Sequence, residues 1–359
     1  MEASQESVQQ RRQTGPGRPR SVGDADGRRP RTARGVVAIT GGSAGVGRAT
    51  VRAFARRGYD VGVLARGRAR LDATREDVRA QGQRCVTIET DVADHAEVER
   101  AARRIEEELG PIDVWVNNAM TTVFAPLADI TPDEYERATR VTYLGVVWGT
   151  MVALKRMRER GGTIVQVGSA LAYRSIPLQA PYCGAKSAIR GFTDSLRTEL
   201  IHTGSPVHLT MVHLPAINTP QFEWCEARLH KQPQPVPPIY QPEVAASAIV
   251  HAAEHERREL WVGVPTYMSI LGQRALPAVM DHYLARAAWK GQLTERPLRP
   301  GRPSNLFAPV DGNHAAHGAF DHRSRRMSPA LVLTKRRGWI LGALAATAAL
   351  TAFAMTRRG

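Results

Sequence analysis

The chain has 359 residues, 43% of them hydrophobic, which is enough for one large α/β domain with extras or for two small domains. Its formal net charge of +15 sits in the ends: residues 1–34 hold eight Arg against four acids, residues 291–359 hold eleven Lys and Arg against three acids, and residues 35–290 keep only +3. A near-neutral centre, with no aromatic residues interleaved among the tail arginines, argues against a nucleic-acid binder, whereas basic ends suit contact with an anionic membrane surface.

Residues 1–34 are rich in Arg, Gly, Gln and Pro with almost no large apolar residue, and are expected to be disordered. From Gly35 short β-branched runs alternate with longer helical stretches. Val36–Thr40, Val61–Leu64, Arg84–Thr90, Ile112–Asn117, Thr163–Gly168, Val207–His213 and Glu259–Val262 read as strands. Between them Gly45–Arg57, Ala93–Leu109, Asp133–Arg158 and Pro181–His202 read as helices. This alternation predicts a doubly wound parallel sheet with helices on both faces, a Rossmann-type domain over residues 35–290. Residues 214–242 break the rhythm: a helical piece near Gln221–His230 leads into the proline-rich Gln232–Gln241. Lying after the sixth strand, this excursion is expected to be a substrate lid.

Residues 291–334, rich in Pro, His and Arg, read as a linker. Residues 335–359 read as a membrane helix with basic flanks: Lys335, Arg336 and Arg337 precede the uncharged stretch Trp339–Met355, and Arg357 and Arg358 follow it. As a helix, that stretch spans ~25 Å, the short limit for a bilayer core, with the catalytic domain on the cytoplasmic side. The three cysteines, Cys85, Cys183 and Cys225, share no metal or redox spacing, and no metal site is expected. No apolar run opens the chain, so a reducing cytoplasm is the expected setting.

The first strand runs into Gly41-Gly42-Ser43-Ala44-Gly45-Val46-Gly47 and then a helix. Glycines there permit a tight turn and close approach of a pyrophosphate, and the helix N-terminus offers free N–H groups and the positive end of its dipole. The second strand ends Leu64-Ala65-Arg66, with Arg68 close behind and no carboxylate for a ribose 2′-hydroxyl. A planar guanidinium at Arg66 suits a 2′-phosphate, so NADP(H) is expected over NAD(H).

Several motifs in order resemble the short-chain dehydrogenase/reductase family, over roughly residues 35–265. They are T-G-x-x-x-G-x-G at Thr40–Gly47, Asp91-Val92 after the third strand, Asn117-Asn118-Ala119 after the fourth, Ser169 ending the fifth, and Tyr182-x-x-x-Lys186 thirteen residues on. The resemblance implies a dinucleotide held by Thr40, Gly41, Ser43, Gly45, Val46, Gly47, Asp91, Val92, Asn118 and Ala119, with Lys186 and Tyr182 at the nicotinamide ribose. Tyr182 and Lys186, four apart on one helix, share a face. A free tyrosine, with a pKa near ~10, is a poor base at neutral pH, and a nearby ammonium stabilises its phenolate. Tyr182 would then pass a proton to or from the substrate oxygen, and Ser169 would polarise that oxygen.

Two positions depart from the family pattern. Val141-Thr142-Tyr143-Leu144-Gly145 places Thr142 where many members have a fourth catalytic Asn, so the proton relay is expected to be rewired through Thr142. Met120 replaces the last glycine of N-N-A-G and is expected to line an apolar pocket. The expected partner is a small, apolar carbonyl or alcohol substrate, on a protein that forms a homo-oligomer. The alternative is an NADP(H)-binding scaffold or redox sensor with little turnover, to which the change at Thr142 points. Selectivity is expected in residues 170–180 and 214–240.

Overall fold

The computed structural model describes residues 33–337 of the chain. The stretches expected to form the disordered N-terminus, apart from its last two residues, and the membrane helix Trp339–Met355 lie outside the described residues. Among the described residues no helix is long and apolar enough to cross a membrane.

All seven expected strands form one parallel sheet: β1 (Val36–Thr40), β2 (Asp60–Ala65), β3 (Cys85–Glu89), β4 (Ile112–Asn117), β5 (Gly162–Ser169), β6 (Val207–Leu214) and β7 (Glu259–Trp261). Their order is β3-β2-β1-β4-β5-β6-β7. β1 and β2 are buried along their whole length because helices cover both faces, which is why they read as continuous apolar runs. The pleat divides them: Val37 and Ile39 pack with Phe54 in one core, Val36 and Ala38 with Ile105 and Trp115 in the other. The chain leaves β1 on one side for β2 and returns on the other as β4, so a crevice opens at the carboxyl ends of these strands.

Helices α1 (Gly45–Arg56), α2 (Arg68–Arg79) and α3 (His95–Leu109) connect the first strands. The single helix expected over 133–158 is broken in two. α4 (Pro132–Thr139) opens with a capping box of Thr131 and Glu134, and α5 (Gly145–Met157) carries the chain on to β5. Between them Arg140–Leu144 forms one π-helical turn, and the buried Thr142 lies in it. There the Thr142 hydroxyl bonds the backbone of Thr121, 21 residues away, accepting from its N–H at 3.0 Å and donating to its carbonyl at 2.8 Å. α6 (Ala180–His202) follows β5 after a 3₁₀ turn at Ala170–Ala172.

The excursion after β6 has less helix than expected. Only the single turn α7 (Gln221–Trp224) forms, and the chain then zigzags through short pairings, Glu226–Ala227 on Val123–Phe124 and Lys231–Pro233 on Leu293–Pro297. α8 (Pro242–Glu254) packs against α1, and after β7 the helices α9 (Val264–Ala275) and α10 (Pro277–Gly291) form a hairpin.

Residues 291–334 are not a free linker. Leu293–Pro297 pairs antiparallel with Lys231–Pro233, Ser324–Arg325 pairs with Ile239–Tyr240, and residues 329–337 are helical. Leu306, Ala316 and Leu331 are buried in separate places, Ala316 sealing the seam between Ala49 of α1 and Ala246 of α8. Apolar anchors this far apart leave no periodicity in the sequence, and only the surface they plug into reveals them.

Candidate active site

The Gly-rich turn is held from beneath by β4. The Thr40 hydroxyl accepts from the backbone N–H groups of Asn118 (2.9 Å) and Ala119 (3.1 Å), and the Asn118 amide donates to the carbonyls of Thr40 and Gly41. Gly41 has φ +64°, and a Cβ there would lie 2.7 Å from the Ala119 Cα, while one on Gly47 would run into the Gly41 carbonyl. Only glycine fits these two positions. α1 then starts behind Ala44, whose side chain caps nothing, and its first N–H, that of Gly45, donates to the Ala315 carbonyl at 3.4 Å, while Gly45, Val46 and Gly47 line the crevice.

A cavity of about 590 Å³ runs from this turn along the strand ends. Of the expected cofactor residues, Gly41, Ser43, Gly45, Val46, Gly47, Arg66, Asp91, Val92, Asn118 and Ala119 all line it. Thr40 does not, because it is the buried peg that holds the turn. Arg66 is less free than expected. Its guanidinium donates to the carbonyls of Asn305, Leu306 (3.4 Å) and Phe307 (3.0 Å), which the folded-back strap brings over the end of β2. Arg137 binds the same strap at Leu306 (3.0 Å) while pairing with Asp91 at 2.5 Å.

Arg68 points to solvent, and Arg70, which the sequence reading passed over, lines the cavity instead. Arg70 is 7% exposed, stacks on the Trp224 ring at 5.2 Å and leaves its Nε without a partner. No spacing flags it: Arg66 precedes the helix, which starts at Arg68 behind an extended Gly67, and the cavity wall brings the two arginines together.

At the other end of the cavity β5 delivers Ser169, and α6 delivers Tyr182 and Lys186. The Ser169 hydroxyl accepts from the Leu171 N–H at 3.1 Å and is hydrogen-bonded to the Tyr182 hydroxyl. Tyr182 opens partly on the cavity, yet burial pushes its phenol up to about 12, against which the Ser169 bond pulls only weakly. Lys186 is buried, donates to the Val167 carbonyl at 2.6 Å and holds its Nζ 5.5 Å from the centre of the Tyr182 ring. Burial pulls its ammonium down to about 8. Two groups that titrate far from neutrality in water are thus pushed in opposite directions. The phenol is a proton donor here, and the ammonium beside it is the one nearer to neutral pH.

The structure does not bring Thr142 to this group. Its hydroxyl is consumed by both backbone groups of Thr121, and the residue does not line the cavity. Met120 does line it.

Sequence reasoning also missed what supports Ser169. Buried His213 of β6 has Nδ1 at 3.2 Å from the Ser169 carbonyl and Nε2 at 3.0 Å from Glu259 of β7. Tyr173 donates to the same Glu259 oxygen at 2.9 Å. Burial alone would raise the Glu259 carboxyl, but the His213 bond and charge, with Tyr173 and Arg258, outweigh it and hold the group at about 2. These three residues lie far apart in sequence, and only the neighbouring β6 and β7 strands join them.

The profile of the short chain dehydrogenase family matches residues 35–228. The oxidoreductase YxnA of Bacillus subtilis is 33% identical over 282 residues, covering 78% of this chain and 79% of that protein. The human short-chain dehydrogenase/reductase 3 is 33% identical over 250 residues, 68% of this chain and 81% of that protein. Among solved structures, an alcohol dehydrogenase from the archaeon Thermococcus sibiricus, complexed with 5-hydroxy-NADP, superposes with a TM-score of 0.56 at 26% identity, over 64% of this chain and 95% of that one. With a cavity that joins a Gly-rich helix start to a Ser-Tyr-Lys group, the chain belongs to the short-chain dehydrogenase family and is an oxidoreductase of that type.

Proposed function

We propose that the protein interconverts a carbonyl and an alcohol with NADP(H), using Tyr182 as the general acid and base. The observation that carries this reading is the convergence of Ser169, Tyr182 and Lys186 on the cavity that the Gly-rich turn also lines. The cradle suits a dinucleotide: glycines sit where any Cβ would collide, and the start of α1, which no side chain caps, lines the cavity. When bound there, the nicotinamide supplies or takes up the hydride.

The chain's own residues do the rest. Ser169 and Tyr182 both donate to the substrate oxygen and draw charge onto it. Tyr182 then releases its proton to that oxygen, and the Lys186 ammonium, held nearby by the Val167 carbonyl, reduces the cost of the phenolate left behind. His213 and Glu259 keep the Ser169 peptide in place. Thr142 takes no step in this scheme. Preference for NADP(H) rests on two cations at the far end of the cavity, Arg66 and Arg70, and on the absence of a carboxylate at the end of β2. The walls from residues 214–240, with Met120, favour an apolar substrate and give the excursion after β6 its role as a lid.

The test is NADPH and NADH oxidation by the purified protein across aldehydes, ketones and quinones, with Tyr182→Phe beside it. We expect NADPH-dependent turnover that falls by ~10²-fold or more in the Phe variant, while NADPH affinity changes little. Tight NADPH binding with no turnover on any carbonyl would instead favour a binding scaffold or redox sensor.

A further inference from the structure

The α9–α10 hairpin is a wall with two apolar sides. Pro265 and Ser269 of α9, with Leu284 and Ala288 of α10, line the cavity near its substrate end. The opposite side faces outward and is also apolar. Val264, Met268 and Leu271 follow one another at helical spacing along α9 and are 51%, 68% and 55% exposed. Leu276 at the turn and Val279 on α10 continue the stripe, 59% and 60% exposed. Runs of apolar surface like this on a folded domain mark a contact site.

The charge around the stripe is one-sided. Arg274, His282, Arg286 and Lys290 lie on the hairpin, and its one acid, Asp281, is paired with Arg174 at 2.6 Å. Helix 329–337 touches α9 at Thr334, which meets the Tyr267 hydroxyl at 3.4 Å, and its Lys335 donates to Ser247 of α8. That helix ends in Lys335, Arg336 and Arg337, directly before the apolar stretch Trp339–Met355 of the sequence. An apolar stripe fringed by Arg274, Arg286 and Lys290, which pair with no acid among the described residues, complements a surface that is anionic outside and apolar just beneath, which is a lipid layer.

We propose that the α9–α10 hairpin rests on an anionic lipid surface and that the substrate passes from that surface, past the hairpin, into the cavity. The substrate is then an apolar, lipid-dissolved carbonyl or alcohol; this second half rests on the oxidoreductase reading above. Seating one side of a cavity wall in lipid gives a poorly water-soluble substrate a short path from one apolar medium to another.

An environment-sensitive fluorophore on Met268→Cys or Val279→Cys of the full chain tests the seating, with Glu107→Cys on α3 as control. Cys183 and Cys225 are buried and burial raises the half-buried Cys85 thiol to about 12, so the introduced cysteine is the reactive one. Adding phosphatidylcholine vesicles that contain phosphatidylglycerol should shift the emission at 268 and 279 to shorter wavelength and leave Glu107→Cys unchanged. Vesicles of phosphatidylcholine alone, or the added changes Arg274→Glu and Arg286→Glu, should abolish the shift. No shift at either hairpin position overturns the proposal, as does an equal shift at Glu107→Cys. A shift already present without vesicles also overturns it and assigns the face to a second copy or to residues 338–359, which sedimentation velocity separates.

The substrate half is read from NADPH turnover of decanal in the same vesicles against a short water-soluble aldehyde. Leu271→Glu should lower kcat/KM about tenfold for the vesicle-borne aldehyde only, the equivalent of ~1.4 kcal/mol. Equal loss on both overturns the entry route. Turnover of neither aldehyde by the native chain sinks the oxidoreductase reading and leaves the vesicle result standing.

Discussion

Lys186 is stored where its charge is expensive. Burial brings its ammonium from an ordinary 10.5 down to about 8, so in the folded protein the charge is present below about 8 and lost above it. If that charge supports proton release by Tyr182, kcat/KM for reduction should be flat at lower pH and decline as pH rises through about 8. Stability should move the other way. Unfolded chains keep this proton up to about 10.5, so between about 8 and 10.5 they bind more protons than the folded state, and folding gains as pH rises. Reductive rates and urea midpoints across this window check both signs, and a decline in rate that tracked a loss of stability would rule out the assignment. Thr142 offers a second test at this scale. Its buried hydroxyl satisfies the N–H and the carbonyl of Thr121 together. Thr142→Ala should therefore cost roughly 1–3 kcal/mol in stability, Thr142→Ser much less, and neither should alter the pH profile.

Among the elements, the strap formed by residues 298–325 matters most to the cavity. It ties Arg66 and Arg137 at one end of the crevice to the single turn α7, through the Asn305 N–H on the Trp224 carbonyl at 2.9 Å. Farther on it reaches the Gly-rich turn, where Arg48 donates to the Asn313 side chain. Arg66→Ala should thus have two effects. Backbone amides near 305–307 should exchange faster with solvent, because the Asn305 and Phe307 carbonyls lose their donor and Leu306 keeps only Arg137. NADPH affinity should fall roughly ten- to hundredfold through loss of a charged contact. Arg70→Ala should weaken NADPH alone and leave that exchange unchanged, since Arg70 makes no bond to the strap carbonyls. Hydrogen-exchange mass spectrometry with cofactor titration separates the two arginines, and identical behaviour would show that both serve only the strap.

For the whole molecule, the cofactor should act as a structural clamp. The crevice gathers residues from β1 through α10, so a ligand filling it stabilises the sheet and the strap together. At a concentration one hundred times its Kd, NADPH should contribute about 2.7 kcal/mol and raise Tm by several degrees. NADH at the same concentration should raise it less. Differential scanning fluorimetry compares the two, and an equal rise would refute the expected preference for the 2′-phosphate.

How much of this was legible in advance depended on how local the cause was. The seven strands could be read because a parallel strand covered on both faces must be a short, nearly continuous apolar run, and each such run carries its own signal. The Gly-rich turn, Ser169 and the Tyr182–Lys186 pair could be read for the same reason: a tight turn, a strand end and one helical turn fix those groups within a few residues. Five features depended on segments remote in sequence and were settled by the tertiary structure. Thr142 could have served a relay or a backbone clamp until Thr121 was seen against it. Arg66 looked free until residues 305–307 folded over it, and Arg70 gained its place from the cavity wall. His213 and Glu259 meet only because β7 lies beside β6. Finally, the Pro- and Arg-rich composition of residues 291–334 made them look like a linker, because isolated anchors such as Leu306 and Ala316 become part of a core only where another surface receives them.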